Sequence, residues 1–240
     1  MFDSKEPRIK IFADGADLKG IEELNKNPLI KGFTTNPTLM RKSNIKDYRL
    51  FAIDVLKIVK SSPVSFEVFS DEFDIMEKQA LQIASWGKNV YVKIPVTNTR
   101  GDDAGPLVRR LTEAGVKVNV TALMTTEQVA HIVDYLAEGT PSCVSVFAGR
   151  VADAGRDPVP IMAEAVKILL KKPLAELIWA SPRELLNILQ AESIGCHIIT
   201  VTHDLLAKIP IIGKDLNEYS IETVQMFYHD AVQAGFNIEI

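Results

Sequence analysis

A chain of 240 residues, 47% hydrophobic and 24% charged, carries enough apolar material for one large core or two small ones. Its net charge of −4 is spread along the sequence in both signs, with no basic patch or aromatic run on a basic face, which argues against nucleic acid as a partner. No apolar stretch approaches the length of a membrane span, Met1 to Lys10 is charged without a signal-peptide core, and two cysteines that read as reduced thiols are consistent with a cytoplasmic protein.

The first strand is expected at Arg8 to Asp14 (RIKIFAD). A short helix over 17–26 follows, with Asp17 as its N-cap. Gly32 to Pro37 reads as the second strand, ended by Pro37. Asp47 to Lys60 sets Phe51, Val55, Ile58 and Val59 at helical spacing. Val64 to Phe69 (VSFEVF) is the third strand, and Asp71 to Ser85 the next helix. Val90 to Val96 is the fourth strand, followed by a helix over 102–114. Lys117 to Leu123 (KVNVTAL) is the fifth, and Thr125 caps a helix reaching Leu136. Cys143 to Val151 is read as the sixth strand. A helix over Pro158 to Lys171 has its prolines in the first turn, where proline is tolerated. Ala175 to Ser181 (AELIWAS) and Cys196 to Thr202 (CHIITVT) are the last two strands, separated by a helix over 183–192. A short helix from Asp204 to Ile209, a linker over 210–217 and an amphipathic helix over 220–235 complete the chain.

Eight mostly apolar strands alternating with helices are what a parallel sheet buried on both faces requires. The pattern points to a (β/α)₈ TIM barrel, residues 1–240 as one domain, with 210–240 as a C-terminal linker and helix. A doubly wound open sheet is the alternative; no G-x-G-x-x-G follows the first strand, and there is no P-loop. Cys143 and Cys196 form no CxxC and read as buried reduced thiols rather than a disulfide.

One lysine, Lys93, interrupts the apolar run Tyr91-Val-Lys93-Ile-Pro95. Burial disfavours an ammonium, and a neutral amine is a nucleophile able to form a Schiff base with a carbonyl. The structural alternatives are a lysine snorkelling from an edge or one lying beside a carboxylate. Side chains alternate along strands, so if Lys93 faces the lumen, Tyr91 and Pro95 do too. The same count places Glu67 inside with Ser65, Thr121 with Asn119, and Ser145 with Phe147. It also places Ser181 inside, in phase with Trp179. With Asp14 and Asn36 at their strand ends, the inward polar set is Asp14, Asn36, Glu67, Lys93, Thr121, Ser145 and Ser181. Most lie in the C-terminal halves of their strands, the catalytic end of a barrel. Singly, each has a structural reading: Asp14 as a helix cap, Asn36 as a turn residue, Glu67 as an ion-pair partner for Lys93. Together they put a base, an acid and a nucleophilic amine in one small volume. Arg150 after the sixth strand, and Arg183 opening a helix that Ser181 caps, would suit a phosphate dianion if they are not simply solvated.

The segments FADGAD, Thr34-Thr-Asn-Pro37, YVKIPVT, VNVTAL, SVFAGRVAD and WAS-x-R resemble the transaldolase family of class I aldolases, which includes fructose 6-phosphate aldolase. The resemblance runs from about Ile11 to about Thr202. It implies a (β/α)₈ barrel, no metal or organic cofactor, and sugar phosphate substrates. It implies that Lys93 is the Schiff-base lysine and that Asp14 handles the C4 hydroxyl proton. Glu67 and Thr121 would place a water for proton transfer, and Asn36 and Ser145 would hold the dihydroxyacetone moiety. Arg150, Ser181 and Arg183 would bind phosphate. Glu67 and Phe147 resemble transaldolase proper; the fructose 6-phosphate aldolase branch resembles glutamine and tyrosine there. Pro182, between Ser181 and Arg183, departs from the more usual phenylalanine and has no N–H to donate; Thr38 stands where serine is common, and the loop after Arg150 is slightly unusual. The alternatives are a fructose 6-phosphate or deoxyribose-phosphate aldolase, or a non-catalytic sugar-phosphate-binding barrel. Oligomerisation through the last helix is a further implication of the resemblance.

Overall fold

The computed structural model describes residues 7–239. Residues 1–6, most of the charged N-terminal stretch read above, and residue 240 lie outside the described residues. In chain order the elements are β1 (Lys10–Asp14), α1 (Leu18–Leu24), β2 (Ile30–Thr34), α2 (Pro37–Lys42), α3 (Tyr48–Ile58) and β3 (Val64–Glu67). Then come α4 (Phe73–Ala84), β4 (Val90–Pro95), α5 (Gly105–Glu113), β5 (Val118–Leu123), α6 (Thr126–Tyr135) and β6 (Ser142–Val146). The remainder is α7 (Ala148–Asp153), α8 (Pro158–Leu169), β7 (Ala175–Trp179), α9 (Leu186–Ser193), β8 (Ile198–Thr202), α10 (His203–Leu206) and α11 (Leu216–Gln233).

The eight strands close into a barrel in the order β1 to β8, and every pairing is parallel. The barrel expected from the sequence is therefore the fold. The large core lies between strands and helices, where Val64, Phe66, Val92, Ile94, Val118, Val120, Val144 and Val146 are buried against helix residues such as Val55, Ala80 and Ile132. Each such side chain contributes about 1.5–3 kcal/mol on burial. A second, smaller cluster of Phe12, Cys143, Ile178, Ala180 and Ile198 fills the lumen, with Tyr91 and Phe147 packed against it. The lower lumen is thus a packed apolar plug, and the polar set stands above it. Both cysteines are free and buried. Burial holds the Cys196 thiol well up, at about 12.

Some expected boundaries change. β2 ends at Thr34, because Asn36 turns the chain and accepts from Leu39 N to cap α2, with Pro37 in its first turn. The sixth strand stops at Val146, and Ala148–Asp153 is helical rather than extended. The helix expected from residue 183 begins at Leu186. The linker over 210–217 begins inside a 3₁₀ turn at Ile209–Ile211. Trp179 is buried in the helix-facing core, so Ile178 and Ala180, not Trp179, face the lumen. The register agrees, pairing Ile178 with Ser145 and Trp179 with Val146. Among the described residues, no helix is long and apolar enough to cross a membrane.

Candidate active site

A cavity of about 490 Å³ opens at the C-terminal ends of the strands. Its wall includes every expected site residue: Asp14, Asn36, Glu67, Lys93, Thr121, Ser145, Phe147, Arg150, Ser181 and Arg183. Register is what assembles them. Glu67 pairs with Lys93 across β3 and β4, and Lys93 with Asn119 on β5. Asp14 pairs with Thr34 on one side and Thr202 on the other.

Lys93 lies beside a carboxylate. Its Nζ donates to Glu67 Oε1 at 3.1 Å and to the Thr35 carbonyl oxygen at 2.5 Å. The two side chains are only 13% and 8% exposed, so neither charge is screened by bulk water. An ammonium has three N–H bonds, and these contacts aim two of them. The Thr35 hydroxyl is set to donate either to Glu67 Oε2 at 3.0 Å or to the Ser65 carbonyl at 2.9 Å. One residue therefore grips the amine through its backbone and the carboxylate through its side chain. Tyr48, from the start of α3, accepts from the Glu67 N–H at 2.6 Å and points its own O–H at the same glutamate.

Asp14 occupies a different corner. Thr34 Oγ1 donates to its Oδ1 at 2.7 Å and Asn36 Nδ2 to its Oδ2 at 3.1 Å. Thr34 also lies 2.5 Å from Thr200 Oγ1. Since Thr34 spends its proton on Asp14, Thr200 is the donor in that pair. Burial pushes the Asp14 carboxyl above the usual aspartate range; the Lys93 charge and the Thr34 and Asn36 hydrogen bonds act against this, and the Glu67 charge reinforces it. The structural reading of Asp14 as a helix cap is replaced: Asp17 accepts from Gly20 N and caps α1. Asn36 is both cap and site residue, its oxygen on Leu39 N and its amide on Asp14. Farther round the wall, Ser145 Oγ donates to Asn119 Oδ1 at 2.7 Å, and Asn119 Nδ2 donates to Ser65 Oγ at 3.1 Å. Asn119 thus orients the Ser145 hydroxyl.

Arg150, on α7, and Arg183, on the loop after β7, form the cationic end of the cavity. The expected helix N-terminus is not there. Ser181 caps no helix, and α9 starts beyond it. The Asn187 side chain takes the N–H groups of Arg183 and Glu184, at 2.8 and 3.2 Å. Those two N–H groups, next to Arg183 at the cavity, are thereby already taken. Arg183 is itself engaged, its Nε donating to Asp153 Oδ1 at 2.9 Å and its Nη2 reaching the other oxygen. Arg183 holds the Asp153 carboxyl below the usual range. Ser181 adopts φ 57°, a left-handed conformation rare outside glycine, which turns the chain toward the cavity just past the strand.

Thr34, Thr35, Tyr48, Thr200 and Asp153 were not singled out from the sequence. Thr34 and Thr200 were findable, since alternation along their own segments puts Thr34 in phase with Asn36 and Thr200 in phase with Ile198 and Thr202. Tyr48 and Asp153 lie on helices, and no local pattern links them to the site. Among the described residues, no group of three or more His, Cys, Asp or Glu side chains is arranged to hold a metal ion.

A closed parallel barrel with a lysine, two carboxylates and two arginines at its C-terminal mouth defines a class of barrel protein with a buried, ion-paired lysine in its cavity. Comparison with known proteins narrows this. Residues 11–239 match the Transaldolase/Fructose-6-phosphate aldolase family, and the chain belongs to it. A protein of Thermoanaerobacter sp. (strain X514) named "Probable transaldolase" is 33% identical over 96% of this chain and 100% of its own length. "Probable transaldolase 2" of Listeria monocytogenes is 33% identical over 88% of this chain and 94% of its own. Among solved structures, a Burkholderia cenocepacia protein described as a lyase/mutase superposes with a TM-score of 0.59 at 13% identity. It covers 87% of this chain and 81% of that one, which speaks to the barrel fold alone.

Proposed function

We propose that the protein is a transaldolase. It moves a dihydroxyacetone unit from a ketose phosphate, such as fructose 6-phosphate or sedoheptulose 7-phosphate, to an aldose phosphate through a Schiff base on Lys93. The observation that carries this reading is Lys93 Nζ set 3.1 Å from a buried carboxylate at the cavity floor, with Asp14 held separately on β1.

In this reading Lys93 gives up a proton, directed toward Glu67, and the amine adds to the ketose carbonyl. The carbinolamine hydroxyl takes a proton back and leaves as water, with Thr121 and Glu67 placing the water that relays it. The resulting iminium is an electron sink. Asp14 removes the C4 hydroxyl proton, the C3–C4 bond pair flows into the iminium, and an aldose phosphate departs. The enamine carbon then attacks a second aldehyde, and Asp14 returns its proton to the new hydroxyl. Hydrolysis frees the product and Lys93. The raised affinity of Asp14 for a proton suits a group that takes one and gives it back. Asn36 and Ser145 hold the three-carbon unit, and Arg150, Arg183 and Ser181 hold the phosphate. Phe147 offers no phenol to protonate the enamine, which favours transfer to an aldehyde over release of free dihydroxyacetone. The buried free thiols fit a reducing, cytoplasmic setting. α11 buries none of its own residues, which supports a homo-oligomer in which a neighbouring subunit covers it.

The test is borohydride trapping with fructose 6-phosphate, followed by mass spectrometry of the labelled peptide. An adduct on Lys93, absent in Lys93→Ala, is expected. A folded protein that gives no adduct with any of a panel of ketoses sinks the Schiff-base reading. Release of free dihydroxyacetone without an aldehyde acceptor would instead select the fructose 6-phosphate aldolase activity.

A further inference from the structure

The least explained feature of the site is the crowd of hydroxyls behind Glu67. We propose that Tyr48 and Thr35, neither of which lines the substrate cavity, are positioning residues whose hydroxyl protons switch between the Glu67 carboxylate and backbone carbonyls, so that Glu67 accepts and returns a proton without moving. The inference rests on the reading above that Glu67 carries protons between Lys93 and the substrate oxygen.

Counting donors leads to this arrangement. Tyr48 has one O–H, and two acceptors lie within reach, Glu67 Oε2 at 3.2 Å and the Glu67 carbonyl oxygen at 3.1 Å. Its oxygen is already fixed, because it accepts from the Glu67 N–H at 2.6 Å. The phenol therefore cannot drift, and its proton can only rotate. Thr35 repeats the arrangement: one O–H, with Glu67 Oε2 at 3.0 Å and the Ser65 carbonyl at 2.9 Å. Both hydroxyls converge on the same carboxylate oxygen, Oε2, while Oε1 faces Lys93.

The two protonation states of Glu67 want different surroundings. A carboxylate is stabilised by two donors on Oε2. When a proton from the amine arrives on Oε1, Oε2 becomes a weaker acceptor. Each hydroxyl then has a backbone carbonyl to turn to, so no donor is left without a partner. When the proton is handed on to the departing hydroxyl of the carbinolamine, both rotors turn back. No heavy atom moves, and proton and charge balance at each step. The ring of Tyr48 is braced edge-on by Phe69 at 4.6 Å, Trp86 at 5.9 Å and Phe66 at 6.3 Å, which leaves the hydroxyl as its moving part. Burial and the Glu67 charge push the Tyr48 phenol above its ordinary range, so it stays a donor throughout.

The test is single-turnover imine formation, read by borohydride quench with fructose 6-phosphate, alongside steady-state kinetics. Tyr48→Phe and Thr35→Val are each expected to slow imine formation and kcat about tenfold with KM unchanged. The double variant is expected to approach Glu67→Gln, and Thr35→Ser to restore the rate. Transfer from the preformed enamine to an aldehyde, which uses Asp14, should stay at the wild-type rate in all of them. If Glu67→Gln leaves imine formation at full speed, the proton-carrying role of Glu67 fails. If Glu67→Gln is slow while Tyr48→Phe and Thr35→Val are both fast, only the rotating donors fail. A uniform loss across imine formation, transfer and KM would mean that the hydroxyls merely hold the fold. Should Tyr48→Phe not fold, the near-isosteric Thr35→Val and its serine counterpart decide the matter alone.

Discussion

Gly149 and Ser181 meet backbone to backbone: a Cβ on Gly149 would lie 1.5 Å from the Ser181 carbonyl oxygen. The contact joins α7, which carries Arg150, to the turn after β7, which carries Arg183. Gly149→Ala is therefore expected to cost about 3 kcal/mol or more, because backbone rather than a flexible side chain has to give way. Urea denaturation reads this directly. Full stability in the alanine variant would show that α7 and the turn after β7 are free to separate.

The Lys93–Glu67 pair predicts an asymmetry in stability. Removing one partner strands a charge among groups that exclude water. Lys93→Met should lose about 3 kcal/mol together with all imine formation. Lys93→Met combined with Glu67→Gln should recover part of that stability and none of the activity. If the double variant is no more stable than the single one, the pair is not the source of the loss.

At the cationic end of the cavity, where phosphate is proposed to bind, each arginine should govern binding rather than chemistry. Arg150→Ala and Arg183→Ala are expected to raise KM for fructose 6-phosphate about 10- to 100-fold, with smaller changes in kcat. An unphosphorylated ketose should barely respond. Equal losses with both substrates would place the arginines outside phosphate binding. Asp153→Asn should behave as a milder Arg183 variant, since Asp153 aims that guanidinium.

Asp14 sets a pH dependence. Its folded-state affinity for a proton is raised above the ordinary aspartate value of 3.8, chiefly by burial. In the proposed reaction Asp14 acts as a base in its ionised form, so kcat/KM should fall on acidification at a pH above the ordinary aspartate range. The linked stability effect has the opposite sense. Just above pH 3.8 the unfolded chain has lost this proton while the folded chain keeps it. Stability relative to Asp14→Asn should therefore decline as pH rises from there through the folded pKa. A difference in stability that grows with pH would reverse the assignment.

α11 should be an assembly element. Leu216, Ile221, Val224, Phe227 and Tyr228 are each more than half exposed, although apolar side chains usually find cover. Val224→Asp combined with Phe227→Asp is expected to lower the mass measured by sedimentation while leaving Lys93 trapping intact. A wild-type protein that sediments as a monomer at all concentrations would remove the premise.

Much of this protein is a local property of its chain. Period-two alternation in strands such as VNVTAL and YVKIPV fixes which side chains share a face, so Glu67, Lys93, Asn119, Thr121 and Ser145 were readable as one inward set before any contact was known. The eight-fold alternation of strand and helix pointed to the barrel, and a lysine within an apolar strand marked the buried Lys93–Glu67 pair at the cavity. Alternation failed where the chain left the strand. Counting back from Ser181 put Trp179 in the lumen, whereas Ser181 reaches the cavity through a left-handed turn and Trp179 packs outward. The sixth strand ends at Val146, short of the sequence expectation, because the mostly apolar Phe147 to Val151 suits either state and folds as α7.

What only the tertiary structure decided are contacts between residues far apart in sequence. Tyr48 reaches Glu67 from a helix, Thr35 holds both Lys93 and Glu67, and Asp153 directs Arg183 across a separation of 30 residues. These depend on barrel closure and strand register, which bring one strand's end beside another's. A sequence records each residue's neighbours along the chain, and a hydrogen bond depends on its neighbours in space.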